Sequence, residues 1–171
     1  MTGGRGTLVG VALAAGAALV AVAVAGAKSA FPPSVCSLLT AKQVTSLGAT
    51  SKCTNQAPLP GPGSMQYEGD WAGSTTRSPS LQVTVSKYTD PGVLQLATHN
   101  LKQGLPGGPA KAVKGLGGPA YEATGAGAAG IHIGVGKYIA YITLTSLGAP
   151  PKSAAPIEPI AKTLAAELKD G

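Results

Sequence analysis

Residues 65–72 read MQYEGDWA, with Met65, Tyr67 and Trp71 alternating against Gln66, Glu68 and Asp70. A period of two is the mark of a half-buried strand. Residues 81–88 (LQVTVSKY) repeat it with Leu81, Val83 and Val85 inward, so the polar loop 73–79 closes an antiparallel hairpin. Residues 131–135 place Ile131, Ile133 and Val135 on one face. Gly136-Lys137 supplies a two-residue turn, and residues 138–145 (YIAYITLT) return in β-forming residues. Residues 120–124 read as one more short strand.

A helical period occurs three times. Thr40-Ala41-Lys42-Gln43 fits the capping box, with Leu39 and Val44 as its hydrophobic staple, Leu47 one turn on and Gly48 as a left-handed stop. Asp90-Pro91 opens a second helix, in which Val93, Leu94, Ala97 and Leu101 share a face and Gly104 closes it. Residues 157–169 carry Ile157, Ile160, Ala161, Leu164 and Leu168 on one stripe, suited to lie across a sheet. Pro/Gly-rich stretches at 57–63, 105–109 and 148–156 read as surface loops. The predicted order is α-β-β-α-β-β-β-α. Short connections between successive strands argue an α+β fold: an antiparallel sheet of about five strands with three helices packed on it, forming one domain over 36–171.

Residues 1–27 change the compartment. Arg5 is followed by 22 uncharged residues, from Gly6 to Ala27, and Ala25-Gly26-Ala27 makes an A-x-A cleavage signal before Lys28. This is the layout of a signal peptide. Its length also suits a membrane anchor, although the run is mostly Ala and Gly with three Leu and five Val. Membrane contact through residues 6–27 stays open beside cleavage. Residues 28–35 form a linker. Either way the remainder is extracytoplasmic, secreted or tethered. A disulfide persists there. The two cysteines, Cys36 and Cys53, flank the first helix, which is too short to hold alone. A bridge closing that loop is worth roughly 3 kcal/mol in the chain-entropy model.

Charge narrows the partners. Lys and Arg number 13 against 7 Asp and Glu, a net charge of +6. The lysines are scattered without aromatic interleaving, which argues against nucleic acid. A diffuse positive surface reads first as ordinary solubility, with attraction to anionic headgroups or acidic wall polymers as the alternative.

The opening motif Cys36-Ser37-Leu38-Leu39-Thr40, the helix ending at Gly48, Cys53, the turn Val113-Lys114-Gly115-Leu116-Gly117 and the terminal amphipathic helix together resemble a family of actinobacterial secreted domains of unknown function. Many of these are lipoproteins opening on Cys-x-Leu-Leu-Thr. The chain departs from it at Gly118, where members carry an acidic residue, and in lacking a lipobox. The resemblance implies a sheet-and-helix sandwich like the PsbP-type fold or the extracellular sensor domains of mycobacterial receptor kinases. It implies no activity.

Candidate chemistry is sparse. Gly125-Ala126-Gly127-Ala128-Ala129-Gly130 matches G-x-G-x-x-G, but a dinucleotide site needs a helix after it, and residues 131–135 read as strand. The segment is expected to be a flexible loop between strands. His99 and His132 read as solvent-exposed or capping histidines, short of the ligands a metal needs. There is no G-x-S-x-G elbow. A triad from His99 or His132 with Asp70 or Asp90, or a carboxylate pair from Glu68 and Asp70, has no support from spacing. No catalytic, cofactor or metal residue is therefore assigned. The aromatics read first as core and sheet-edge packing, with Tyr67, Trp71, Tyr88 and Tyr141 as the candidate linings of a ligand groove in the alternative. The expectation is a non-catalytic envelope domain that binds, senses or assists, its partner an envelope ligand or a membrane protein. The alternatives are an envelope hydrolase and a structural partner of a membrane complex.

Overall fold

The computed structural model describes residues 34–170. The predicted leader, 1–27, and the linker up to residue 33 lie outside the described residues. Eight strands form one sheet: β1 (Ala49–Asn55), β2 (Leu59–Gly61), β3 (Ser64–Gly73), β4 (Ser80–Tyr88), β5 (Lys111–Ala112), β6 (Ala120–Gly125), β7 (Ala128–Val135) and β8 (Tyr138–Thr145). The order across it is β1-β3-β4-β8-β7-β6-β5, with β2 also paired to β3, and every pairing is antiparallel. Helices α1 (Ala41–Thr45), α2 (Pro91–His99) and α3 (Glu158–Asp170) complete the fold.

The α+β class and the antiparallel sheet match the pattern-based expectation, but eight strands replace about five. The three additional strands lack an apolar alternation. β1 reads ATSKCTN, mostly exposed, and its register breaks between Ala49 and Cys53. β2 sits inside the Pro/Gly stretch 57–63, whose composition predicts a loop. Pro60 is tolerated there because β2 pairs on one side only. β5 has two residues.

The two halves of the sheet are joined by β4 and β8. Leu81, Val83 and Val85 lie opposite Leu144, Ile142 and Ala140. On the same face β7 adds Ala129, Ile131 and Ile133, and α3 covers them with Ile160, Ala161, Leu164 and Leu168, all buried. A 3-10 turn, Val35–Leu38, and α1 extend this layer over β3 and β1 with Val35, Leu39 and Val44. Burying each such side chain contributes about 1.5–3 kcal/mol.

The predicted capping box forms. Gln43 N–H donates to Thr40 Oγ1 at 3.3 Å, and Thr40 N–H donates to Gln43 Oε1 at 2.8 Å. The Gln43 amide also donates to Thr163 Oγ1 at 2.9 Å, tying α1 to α3. Cys36 and Cys53 are bridged with their α-carbons 5.8 Å apart, inside the span a disulfide requires. The bond links the 3-10 turn to β1 and so clamps the polar edge strand to the helical layer.

The Gly125–Gly130 stretch is no flexible loop. Gly125 pairs with Ala128, leaving Ala126 and Gly127 as a two-residue turn with φ of 51° and 80°. Positive φ at both positions is the hairpin geometry that continues the strand twist. A strand follows, which is incompatible with a pyrophosphate cradle.

Candidate functional site

The second face of the sheet divides into two regions. Helix α2 packs over part of β4 and β8, and the strap that follows it, residues 100–109, covers β7 and β6. Over β1, β3 and the stretches of β4 and β8 that carry Ser80, Gln82, Thr143 and Thr145 it is open. The division follows from side-chain size on β7. Gly130, His132 and Gly134 alternate on this face, and the missing Cβ atoms admit the strap: a Cβ on Gly130 would lie 2.7 Å from Pro106 Cδ, and one on Gly134 would lie 3.3 Å from Leu101 Cδ1. Leu101 and Ile139 are buried in this layer, apart from the main core.

Helix α2 is capped as expected, Asp90 Oδ1 accepting from Gly92 and Val93 N–H at 2.8 and 3.0 Å. It ends at His99, five residues before Gly104. Leu101 has left the helix, and its carbonyl accepts from His132 Nδ1 at 2.8 Å.

His132 is therefore not solvent-exposed. It is 3% exposed, with its ring edge-on to Tyr141 at 4.6 Å between centroids. Its role is nearer the capping alternative, since it holds a carbonyl just beyond the end of α2. Desolvation by burial lowers its pKa from the usual 6.5, and the Leu101 hydrogen bond opposes this in part. His99 stays exposed on α2. A usable signal for the burial of His132 was the Gly-x-His-x-Gly spacing. Two small residues beside a larger one on one strand face leave room for a covering segment.

The four candidate aromatics do not line one groove. Strand register separates them. Tyr67 and Trp71 face the main core with Val85 and Leu81 as cross-strand partners, and Trp71 is 2% exposed. Tyr88 and Tyr141 lie on the second face and share a side-chain hydrogen bond beneath α2. Burial, together with the charge and hydrogen bond of Tyr88, pushes the Tyr141 pKa up to about 12.

The open region has a different character. Register places Thr54, Asp70, Gln82 and Thr143 on one line across β1, β3, β4 and β8. Ser80 and Thr145 make the next line. These side chains border a cavity of about 520 Å³, with Lys52 and Thr50 at the β1 wall. Asp70 Oδ2 accepts from Gln56 Nε2 at 3.0 Å. Glu68 accepts from Gln82 Nε2 at 3.2 Å and from Thr84 Oγ1 at 3.3 Å. The alternation in β3 had placed both carboxylates on this face. Among the described residues, Thr54, Ser80, Thr143 and Thr145 direct no side-chain hydrogen bond to the protein itself.

One line across the sheet shows the transition. It runs Glu68, Thr84, Tyr141, His132 and Tyr121, from a half-buried carboxylate through the buried imidazole to a half-buried ring. Glu68 and His132 are separated by two intervening strands, roughly 14 Å at the usual strand spacing. They cannot act on one substrate atom as an acid–base pair. Among the described residues there is no group of three or more His, Cys, Asp or Glu placed to hold a metal, and no helix is long and apolar enough to cross a membrane. No family model, curated protein or solved structure matches the chain, so the resemblance to the actinobacterial secreted domains rests on its motif residues alone.

Proposed function

We propose that the protein is a non-catalytic extracytoplasmic domain that binds a polar, hydroxyl-rich envelope ligand, such as a glycan, on the open half of the second sheet face. The observation that carries this reading is the line Thr54–Asp70–Gln82–Thr143 bordering a cavity of about 520 Å³. That volume lies within the range of small-ligand sites. The Thr54 and Thr143 hydroxyls are uncommitted, and beside them the Gln82 side-chain carbonyl and the second Asp70 oxygen remain as acceptors, while the Gln82 amide and Asp70 Oδ2 are already engaged by Glu68 and Gln56; at strand spacing this pattern meets successive sugar hydroxyls. Each such hydrogen bond contributes about 0.5–1.5 kcal/mol net. The Cys36–Cys53 bridge is compatible with an oxidising, extracytoplasmic compartment. Anchoring or secretion through residues 1–27 belongs to the same proposal.

The hydrolase alternative would draw on His132, whose Nδ1 is committed to a backbone carbonyl and whose ring is closed off by the strap. The geometry therefore favours binding over catalysis. Calorimetric titration of the full chain with neutral oligosaccharides and with the peptidoglycan disaccharide tests the proposal. Wild type is expected to bind at least one of these probes, and Thr143→Val with Gln82→Leu to weaken that binding by about tenfold, the effect of losing one to two hydrogen bonds. No heat with any probe, or equal affinity in the double variant, overturns it.

A further inference from the structure

The strap is held to the sheet at one titratable point. Leu101, Leu105 and Pro106 seat against Gly134 and Gly130 on either side of His132, and the imidazole bonds the Leu101 carbonyl. A carbonyl only accepts, so Nδ1 carries the hydrogen and Nε2 is the atom that takes up a proton. The Nδ1 bond survives protonation, but burial disfavours the charged ring, because at 3% exposure it is largely withdrawn from water.

The groups facing His132 offer no compensating charge. From β8 comes Tyr141, bonded in turn to Tyr88 of β4, and from β6 comes Tyr121, its register partner. None of the three is a carboxylate that could pair with an imidazolium. From the strap comes Lys102, whose Nζ lies 4.9 Å from the Tyr121 ring centroid, a cation on the same side. On α2, His99 is exposed and brings no negative charge. Glu122 pairs with Ile131 and so faces the opposite side of the sheet, and Glu68 lies beyond two intervening strands.

The geometry points to a pH-sensitive latch: protonation of His132 releases the strap 100–109 from β7 and uncovers the closed half of the sheet face. The released area adjoins the open cavity through Tyr141 and Thr143, two residues apart on β8. Acidification would thus enlarge the accessible face.

The sign follows from the lowered pKa. The closed state binds fewer protons than the open one, so closure is favoured above pH 6.5 and weakens as pH falls toward the folded-state value. Amide exchange in the full chain, corrected for intrinsic rates, reads this directly. The Leu101 and Gln103 amides, bonded to Thr98 and Asn100 carbonyls, are expected to lose protection progressively as pH falls from 7.5 to 5, in step with proton uptake by His132. His99→Gln should keep this response. His132→Asn, which keeps an amide donor near the Nδ1 position but cannot titrate, should abolish it. If His132→Asn does not fold, the His132 Cε1–H resonance of wild type decides, with an expected midpoint below 6.5 that the strap amides share. A midpoint at or above 6.5, strap amides that ignore the titration, or a response lost in His99→Gln or retained in His132→Asn overturns the latch.

Discussion

The two faces of one sheet are built from the same strands and obey different rules. On the first face Val83, Ile142, Ile131 and Leu164 meet in a continuous apolar layer, each fully buried. On the second, Gln82, Thr143 and Gly130 occupy the neighbouring positions of those same strands, and only half of the surface is covered. Alternation therefore assigns stability to one side and leaves the other free for recognition and for a covering segment that rests on glycines.

That contrast predicts a graded set of effects. Leu164→Ala or Ile142→Ala should destabilise by about 2–5 kcal/mol, since each removes buried contacts and leaves a cavity in the main layer. Chemical denaturation midpoints measure it. Next comes the bridge: Cys36→Ser with Cys53→Ser should lose roughly 3 kcal/mol, with reduced wild type matching the double variant. Gly130→Val is expected to cost about 1–3 kcal/mol by overpacking, because its first side-chain atom already meets Pro106. Exchange should show the loss concentrated in the strap rather than in α3. Smallest of all, Thr143→Val should change stability by less than about 0.5 kcal/mol, as for other surface positions. A large effect there would erase the distinction between the faces.

The first face was legible in the sequence because its pattern is redundant. Alternation in β3, β4, β7 and β8, the stripe on α3 and the capping box at Thr40 all point inward to one layer. β1 was not legible, since an exposed edge strand reading ATSKCTN obeys no burial pattern and is fixed by the Cys53 bridge and its pairing with β3. The second face was half legible. Glu68 and Asp70 fell where alternation put them, whereas the groove expected from Tyr67, Trp71, Tyr88 and Tyr141 dissolves once register sends two rings to each side. His132 misled for a related reason. A polar residue between two isoleucines reads as solvent-facing, and only the strap, sequence-distant by 31 residues, closes over it.

The central claim is that recognition belongs to the open half of the second face. Mapping backbone amide shifts of the full chain while adding the peptidoglycan disaccharide or neutral oligosaccharides tests it most directly. The account predicts saturable shifts centred on Asp70, Gln82, Thr143 and Thr145, with the amides of α3 unmoved. Shifts centred on α1 and α3, or none with any of these probes, would contradict it.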